Sequence, residues 1–217
     1  MTDIQGAIID VDGTLLDSMP IWDSIAIDYL KSKGVRPRHD LNERLRELGG
    51  HEIPDYFRKN YGIKDSPKNI HAGMNRLLEE FYFNTAPVKS GVVSFLEKLK
   101  THGTKMCVAT ATDRHLIEPA LKRCGLYRYF EHIFTCGDEK TSKNKPDIYL
   151  RAADFLGTDI SKTLVIEDAL YAVKSAKCAG FIVVGVHDLA EDDQQDEMRA
   201  LCDHYYISLE EFSFEDY

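Results

Sequence analysis

Five short apolar runs constrain this chain more than any other feature: "AII" (7–9), "KMCVAT" (105–110), "HIFT" (132–135), "TLVIED" (163–168) and "FIVVGV" (181–186). They are apolar nearly throughout rather than alternating, which is the pattern of strands covered on both faces, and parallel sheets are built of such strands. Between them the apolar spacing becomes helical. Val92, Val93, Phe95, Leu96 and Leu99 form one stripe, and Ile148, Ala152, Phe155 and Leu156 form another that Gly157 closes as a C-cap. Strand and helix in alternation predict an α/β fold, a Rossmann-like parallel sheet in a three-layer α/β/α core. Ala169, Val173, Ala176 and Ala179 make a slim helical face ending at Gly180, suited to close packing on that sheet. Pro119 falls inside the helical pattern 114–124 and predicts either a kink or a helix that starts late.

Residues 17–86 break the rhythm. They contain no strand-like run but four amphipathic stretches, "MPIWDSIAIDYLKSKG", "LNERLRELGG", "HEIPDYFRKNYG" and "PKNIHAGMNRLLEEFYF". A crossover between parallel strands usually carries one helix. These four therefore predict an all-helical cap domain over 17–86, inserted into a core made of 1–16 and 87–217; the alternative is that the helices pack on the sheet edge. Both connections of the insert leave near the carboxyl end of the first strand, so the cap is expected over the mouth of a site there. The acidic run from Glu191 to Glu197 reads as a solvated helix face.

Charge and cysteine content narrow the function classes. A formal net charge of −9 leaves no basic patch for nucleic acid or for an anionic membrane surface, so the expected partner is a small molecule. The five cysteines are odd in number, widely spaced and without a C-x-x-C pair, which points to a reducing cytoplasm rather than a disulfide framework or zinc site. The opening "MTDIQGAIID" has no basic segment ahead of a long apolar one, and no run approaches a membrane span.

The chemistry is expected where open α/β sheets bind ligands, beyond the carboxyl ends of the strands. The first strand ends in Asp10, followed by Asp12 and then Gly13, which bends the backbone. Side chains two apart on a strand point the same way. Two carboxylates at ~4 Å repel by ~4 kcal/mol in a surface-like dielectric, so the pair calls for a shared proton or a cation. Other strand ends contribute Thr110 and Thr112, and Glu167 and Asp168; the segment "TSKNKPDIYL" contributes Lys143 and Lys145. Each of these has an ordinary use as a helix cap or surface residue. Together they make an oxygen-rich set without imidazole, suited to a hard cation and to magnesium (Mg2+) above all. A metal cage beside a lysine and a threonine suits a phosphate ester. One carboxylate can attack phosphorus to form an aspartyl-phosphate, while the other gives a proton to the leaving alcohol and later takes one from water. Asp10 and Asp12 then sit two apart because both roles are needed on one face.

In this order the motifs resemble the haloacid dehalogenase superfamily, subclass I, over nearly the whole chain. "DVDGT" matches its first motif, which implies Asp10 as nucleophile and Asp12 as acid/base; "VATAT" is similar to the second, with Thr110 as the phosphate-binding hydroxyl. "KNKPD" is similar to the third, and aligning Pro146-Asp147 with the family's K-P-x-P-D form makes Lys143 the functional lysine; "VIED" is similar to the fourth, with Glu167 and Asp168 at the metal. The resemblance implies magnesium on the Asp10 side chain and the Asp12 backbone carbonyl. It also implies substrate contacts at Gly13, Thr110, Ala111 and Lys143, and a mobile helical cap.

Departures from the pattern sharpen the expectation. Asn144 replaces the usual Pro after the lysine, which leaves Lys145 as the second candidate for Lys143's place, and Ala169 follows "ED" where many relatives carry Ser. The dehalogenases lack the second Asp present here as Asp12, which argues against halide removal. The resulting expectation is a phosphatase acting on a small phosphorylated metabolite: a sugar phosphate, a nucleotide or a cofactor phosphate. The alternative is a phosphomutase resembling β-phosphoglucomutase. Those mutases carry a His twelve residues beyond the nucleophile, where this chain has Trp22. A phosphorylated signalling module of the receiver type is a further alternative, disfavoured by the length of the chain. Within the insert, Trp22 is expected in the cap's own core, Gly49-Gly50 is either a helix C-cap or a substrate-facing loop, and Arg36, Arg38, Arg44, Arg46, Arg58 and Lys59 are the basic candidates for specificity.

Overall fold

A computed structural model describes residues 3–46, 48 and 52–217, with the Arg46 side chain outside the description. In chain order, β1 (Gly6–Ile9) is followed by the helices α1 (Met19–Ser32), α2 (Leu41–Arg46), α3 (Ile53–Tyr61) and α4 (Pro67–Asn84). Next come α5 (Val92–His102), β2 (Lys105–Thr110), α6 (Arg114–Arg123), β3 (Ile133–Thr135), the single turn α7 (Cys136–Glu139) and α8 (Asp147–Leu156). The chain continues through β4 (Thr163–Glu167), α9 (Leu170–Cys178), β5 (Ile182–Val186), α10 (Gln195–Leu201) and β6 (His204–Tyr206).

The strands form one sheet in the order β3-β2-β1-β4-β5-β6, and every neighbouring pair is parallel. The apolar runs of the sequence are its strands, and Ala7, Ile8 and Ile9 are fully buried because β1 lies inside the sheet. On one face Ile8, Cys107, Val165 and Val183 pack with Tyr149 and Ala152 of α8, Val173 and Ala176 of α9, and Met198 of α10. Burying each Leu-, Ile- or Val-sized side chain stabilises the fold by ~1.5–3 kcal/mol. On α9, Val173 and Ala176 of the expected small face have no exposed surface and Ala172 joins them, so the helix lies close to β4 and β5, whereas Ala169 and Ala179 flank the helix and are half-buried.

Two expectations change. β6 was not visible as a strand because it is a three-residue edge strand on which only Tyr206 is buried; pairing with β5 makes it a strand. The helix bearing Pro119 does not start late. α6 begins at Arg114, and its buried Leu116, Ile117, Ala120 and Leu121 keep it helical through the missing proline N–H.

The chain divides into two compact units, Met1–Ser18 with Ala86–Tyr217, and Met19–Thr85. Among its described residues, the regular elements of the second are all helices. Its core joins Ala26, Tyr29 and Leu30 of α1 to Leu41, Phe57 and Ile70, and the Tyr29 and Phe57 rings stack with centroids 5.8 Å apart. Gly73 on α4 permits this contact: a Cβ there would lie 2.5 Å from Tyr29 Cε2. α4 is started by Pro67 and by Ser66, whose side chain accepts the Asn69 N–H. Trp22 is not in this core. It shares the stripe of Ile25, Ala26 and Tyr29, but it stands in the first turn of α1, is 42% exposed, and lines a groove of about 420 Å³ with Leu45, Ile53 and Met74. Among the described residues, the polar lining of that groove comes from Asp23, Asn42, His71 and Asn75; of the basic candidates, Arg38 lies over the Tyr61 ring, Arg44 pairs with Asp40 and Arg58 with Asp55. Gly49-Gly50 lies outside the described residues. No helix among those described is long and apolar enough to cross a membrane, and the five cysteines are free thiols.

Candidate active site

The site follows from strand register. Ile9 pairs with Ile166 across β1 and β4, so the next residues, Asp10 and Glu167, emerge side by side, and Asp10 N–H donates to the Ile166 carbonyl at 3.0 Å. Beyond Asp10 the chain coils on itself. The N–H groups of Leu15 and Leu16 both reach the Val11 carbonyl at 2.8 Å, and Gly13 takes φ +77°, which favours glycine. The coil returns two hydroxyls to the acids: Thr14 donates to Asp168 Oδ1 at 3.0 Å and Ser18 to Asp12 Oδ1 at 2.6 Å.

Lys143 lies before α8 and is 3% exposed. Its ammonium donates to Asp10 Oδ1 and, at 2.7 Å, to Glu167 Oε1. Lys145, its alternative, is exposed, as is Asn144. Tyr149 on α8 donates its hydroxyl to the same Glu167 Oε1 at 2.7 Å. Thr110 ends β2, two residues past Val108, the partner of Ile9; it is fully buried and its Oγ1 accepts the Thr112 N–H at 3.1 Å. Ala111 follows it, exposed. The structure thus brings Asp10, Lys143, Glu167 and Asp168 into one buried cluster, with Asp12, Gly13 and Thr110 on the adjoining strand ends.

Burial pushes the Asp10 carboxyl up to about 8; the Lys143 ammonium pulls the other way, and the Glu167 and Asp12 charges add to the rise. Asp168 is raised by burial and then by Asp10 and Glu167. Burial works against the Lys143 ammonium too, but the Asp10 and Glu167 charges and hydrogen bonds together hold it above the ordinary lysine range. The cluster therefore keeps its cation and, without a metal, retains a proton among its acids. Burial and the Glu167 charge keep the Tyr149 phenol protonated and hence a donor.

This donor set fits a hard divalent cation. Asp10, Glu167 and Asp168 each offer a carboxylate oxygen, all within 4.8 Å of one another, with no imidazole or thiolate among them. Glu167 Oε2 is buried and has no hydrogen-bond partner among the described residues, an orphaned acceptor that a cation would satisfy.

Sequence reasoning left several contributors without a role. Thr14 and Ser18 lie in the same stretch as Asp10 and are hydroxyls close behind the acids, a signal that could have been used. Tyr149 looks like a core residue of its helix. Lys89 donates to the Gly13 carbonyl, to the His187 carbonyl at 2.7 Å and to Asp188 Oδ2 at 2.8 Å, tying the first turn to the end of β5, and no local pattern announces it.

Comparison with known proteins agrees with this geometry. Residues 4–180 match the family model described as haloacid dehalogenase-like hydrolase. The chain is 28% identical to the phosphorylated carbohydrates phosphatase of Thermotoga maritima, over 82% of each protein. It is 28% identical to hexitol phosphatase B of Escherichia coli strain K12, over 98% of this chain and 96% of that one. A crystal structure from Thermotoga maritima, provisionally named beta-phosphoglucomutase, superposes with a TM-score of 0.83 at 27% identity and 95% coverage of both chains. With three of the motif segments meeting in one buried cluster, the second motif ending on an adjoining strand, and the family model spanning most of its length, the chain belongs to the haloacid dehalogenase-like hydrolases.

Proposed function

We propose that this protein is a magnesium-dependent phosphatase that hydrolyses small phosphorylated carbohydrates or polyols through an aspartyl-phosphate on Asp10. The observation that carries the reading is the buried cluster of Asp10, Lys143, Glu167 and Asp168: three grouped carboxylates, two of them paired with one ammonium, and an orphaned acidic oxygen. Asp10, Glu167 and Asp168 would hold Mg2+, together with the Asp12 carbonyl that the family resemblance implies. The cation supplies positive charge beside the phosphoryl oxygens.

The side chains perform the transfer. An Asp10 carboxylate oxygen attacks phosphorus as the bond to the leaving oxygen breaks, and Asp12 delivers a proton to that oxygen, releasing the alcohol. Asp12, now a carboxylate held by Ser18, takes a proton from water; the water oxygen attacks phosphorus and the bond to Asp10 breaks, giving phosphate. Lys143 stays charged throughout and offsets the negative charge at Asp10 and the phosphoryl group. Thr110 and the backbone at Gly13 and Ala111 are assigned to orienting the phosphate.

The substrate class is supported by the names of the two phosphatase relatives. Trp22, where the mutases have His, supports hydrolysis over phosphoryl return to a sugar. The second reading, a phosphomutase, is favoured by the overlay with the structure provisionally named for that activity. A panel of sugar and polyol phosphates, assayed for phosphate release with Mg2+ and with EDTA, tests both. Release that needs Mg2+ supports the phosphatase. Conversion of β-glucose 1-phosphate to the 6-phosphate without phosphate release supports the mutase, and turnover undiminished in EDTA would overturn the metal-dependent mechanism.

A further inference from the structure

Glu167 accepts two hydrogen bonds on one oxygen, from Lys143 and from Tyr149, each at 2.7 Å, while its buried Oε2 has no partner among the described residues. A carboxylate loaded in this way cannot turn about its Cγ–Cδ bond without giving up both donors. We propose that Tyr149 is a positioning residue for the divalent cation: its hydroxyl pins Glu167 from the apolar side of the sheet and keeps Oε2 as the acceptor left for the metal. This inference rests on the reading of the acidic cluster as the magnesium site.

Three observations support a role for the hydroxyl beyond packing. The Tyr149 ring is fully buried in the same apolar cluster as Ile8, Val165 and Val173 and meets Phe181 edge-on with centroids 6.2 Å apart, a setting that phenylalanine would fill equally well. The hydroxyl is a buried polar group that donates to Glu167 Oε1, so its desolvation is offset at that atom. Lys143 is shared between Glu167 and Asp10. A second donor on Glu167 lets the ammonium stay between both acids instead of collapsing onto one. Hydrogen bonds to metal-binding carboxylates commonly change metal affinity by ~10–100-fold when removed.

The test is calorimetric titration of Mg2+ into protein stripped with EDTA and dialysed, comparing the parent with Tyr149→Phe and Tyr149→Leu, with melting of each metal-free protein followed by circular dichroism. The expected result is Mg2+ affinity lower by about ten- to a hundredfold in Tyr149→Phe, with the metal-free melting midpoint close to the parent's. Parent-like affinity in Tyr149→Phe, with loss only in Tyr149→Leu, would assign the residue to packing and overturn the inference. So would a Tyr149→Phe protein that fails to fold without metal, since the hydroxyl would then serve stability. If the parent itself binds no Mg2+, the metal reading of the cluster fails and this inference fails with it; if the parent binds and Tyr149→Phe binds equally, only the inference fails.

Discussion

The Lys143 ammonium lies 2.7 Å from Glu167 Oε1, both side chains almost wholly withdrawn from solvent, while Lys145 two residues away is exposed. Removing one partner of a buried ion pair strands the other. Lys143→Ala should therefore lower stability by ~3–5 kcal/mol and lower kcat by about a hundredfold or more through loss of a positioned charge. Lys145→Ala should stay within ~0.5 kcal/mol of the parent, as surface substitutions do. Urea unfolding and steady-state kinetics on the pair check this, and the reverse ranking would place the functional lysine at 145.

The two acids of the first motif should separate by the step they serve. Asp10→Asn cannot form a mixed anhydride, so acetyl phosphate should leave no hydroxylamine-sensitive phosphoryl label on it. Asp12→Ala should slow turnover of alkyl esters by about a hundredfold to ten-thousandfold, yet it should accept label from acetyl phosphate, whose leaving group needs little protonation. That label should persist because no base activates water. Rapid quench followed by label counting decides it; label on Asp10→Asn, or equal loss in both variants, contradicts the assignment.

Asp10 makes the stability of the metal-free protein depend on pH. Its carboxyl is raised from 3.8 to about 8, chiefly by burial, so between those values the folded chain holds a proton that the unfolded chain has released. Stability then falls as pH rises through that window. Asp168, also raised by burial, adds in the same direction. Asp10→Asn has no proton to lose there, so its melting midpoint in EDTA should gain on the parent's from pH 6 to pH 8. Mg2+ bound at Asp10 as proposed would compete with the same proton, and its binding should release protons, read as a dependence of calorimetric heat on buffer ionisation. A midpoint difference that stays flat with pH would show that Asp10 is ionised in the metal-free fold.

Lys89 should matter more to stability than its place outside the four motifs suggests. Its ammonium serves two carbonyls and Asp188, and Asp188 is 7% exposed. Lys89→Met strands Asp188 near Asp168 and should cost about 3 kcal/mol. Adding Asp188→Asn should recover part of that loss, because an amide needs no counter-charge. Urea unfolding of the single and double variants checks both statements.

The sequence by itself determined the parallel α/β core, the helical insert and the strand ends where the acids stand, for a local reason. Runs such as "AII" and "TLVIE" are apolar throughout because both faces of their strands are covered, and a polar residue appears where such a strand reaches solvent. Other features depend on which distant segments become neighbours, and only the tertiary structure decided them. Strand order is one, and the three-residue β6, which exists through pairing with β5, is another. Which of Lys143 and Lys145 is buried turns on the side chain that the segment before α8 directs inward, and spacing alone leaves both available. Trp22 follows the helical stripe but lies one turn before the helices close around it. Tyr149 carries the apolar pattern of its helix, and its hydroxyl acquires a partner because α8 packs beneath β1 and beside Glu167; Lys89 and Asp188 meet across 99 residues of chain. Local pattern records how much of a residue is buried, whereas hydrogen bonds and ion pairs between remote segments depend on the packing of the whole sheet, which no window of sequence contains.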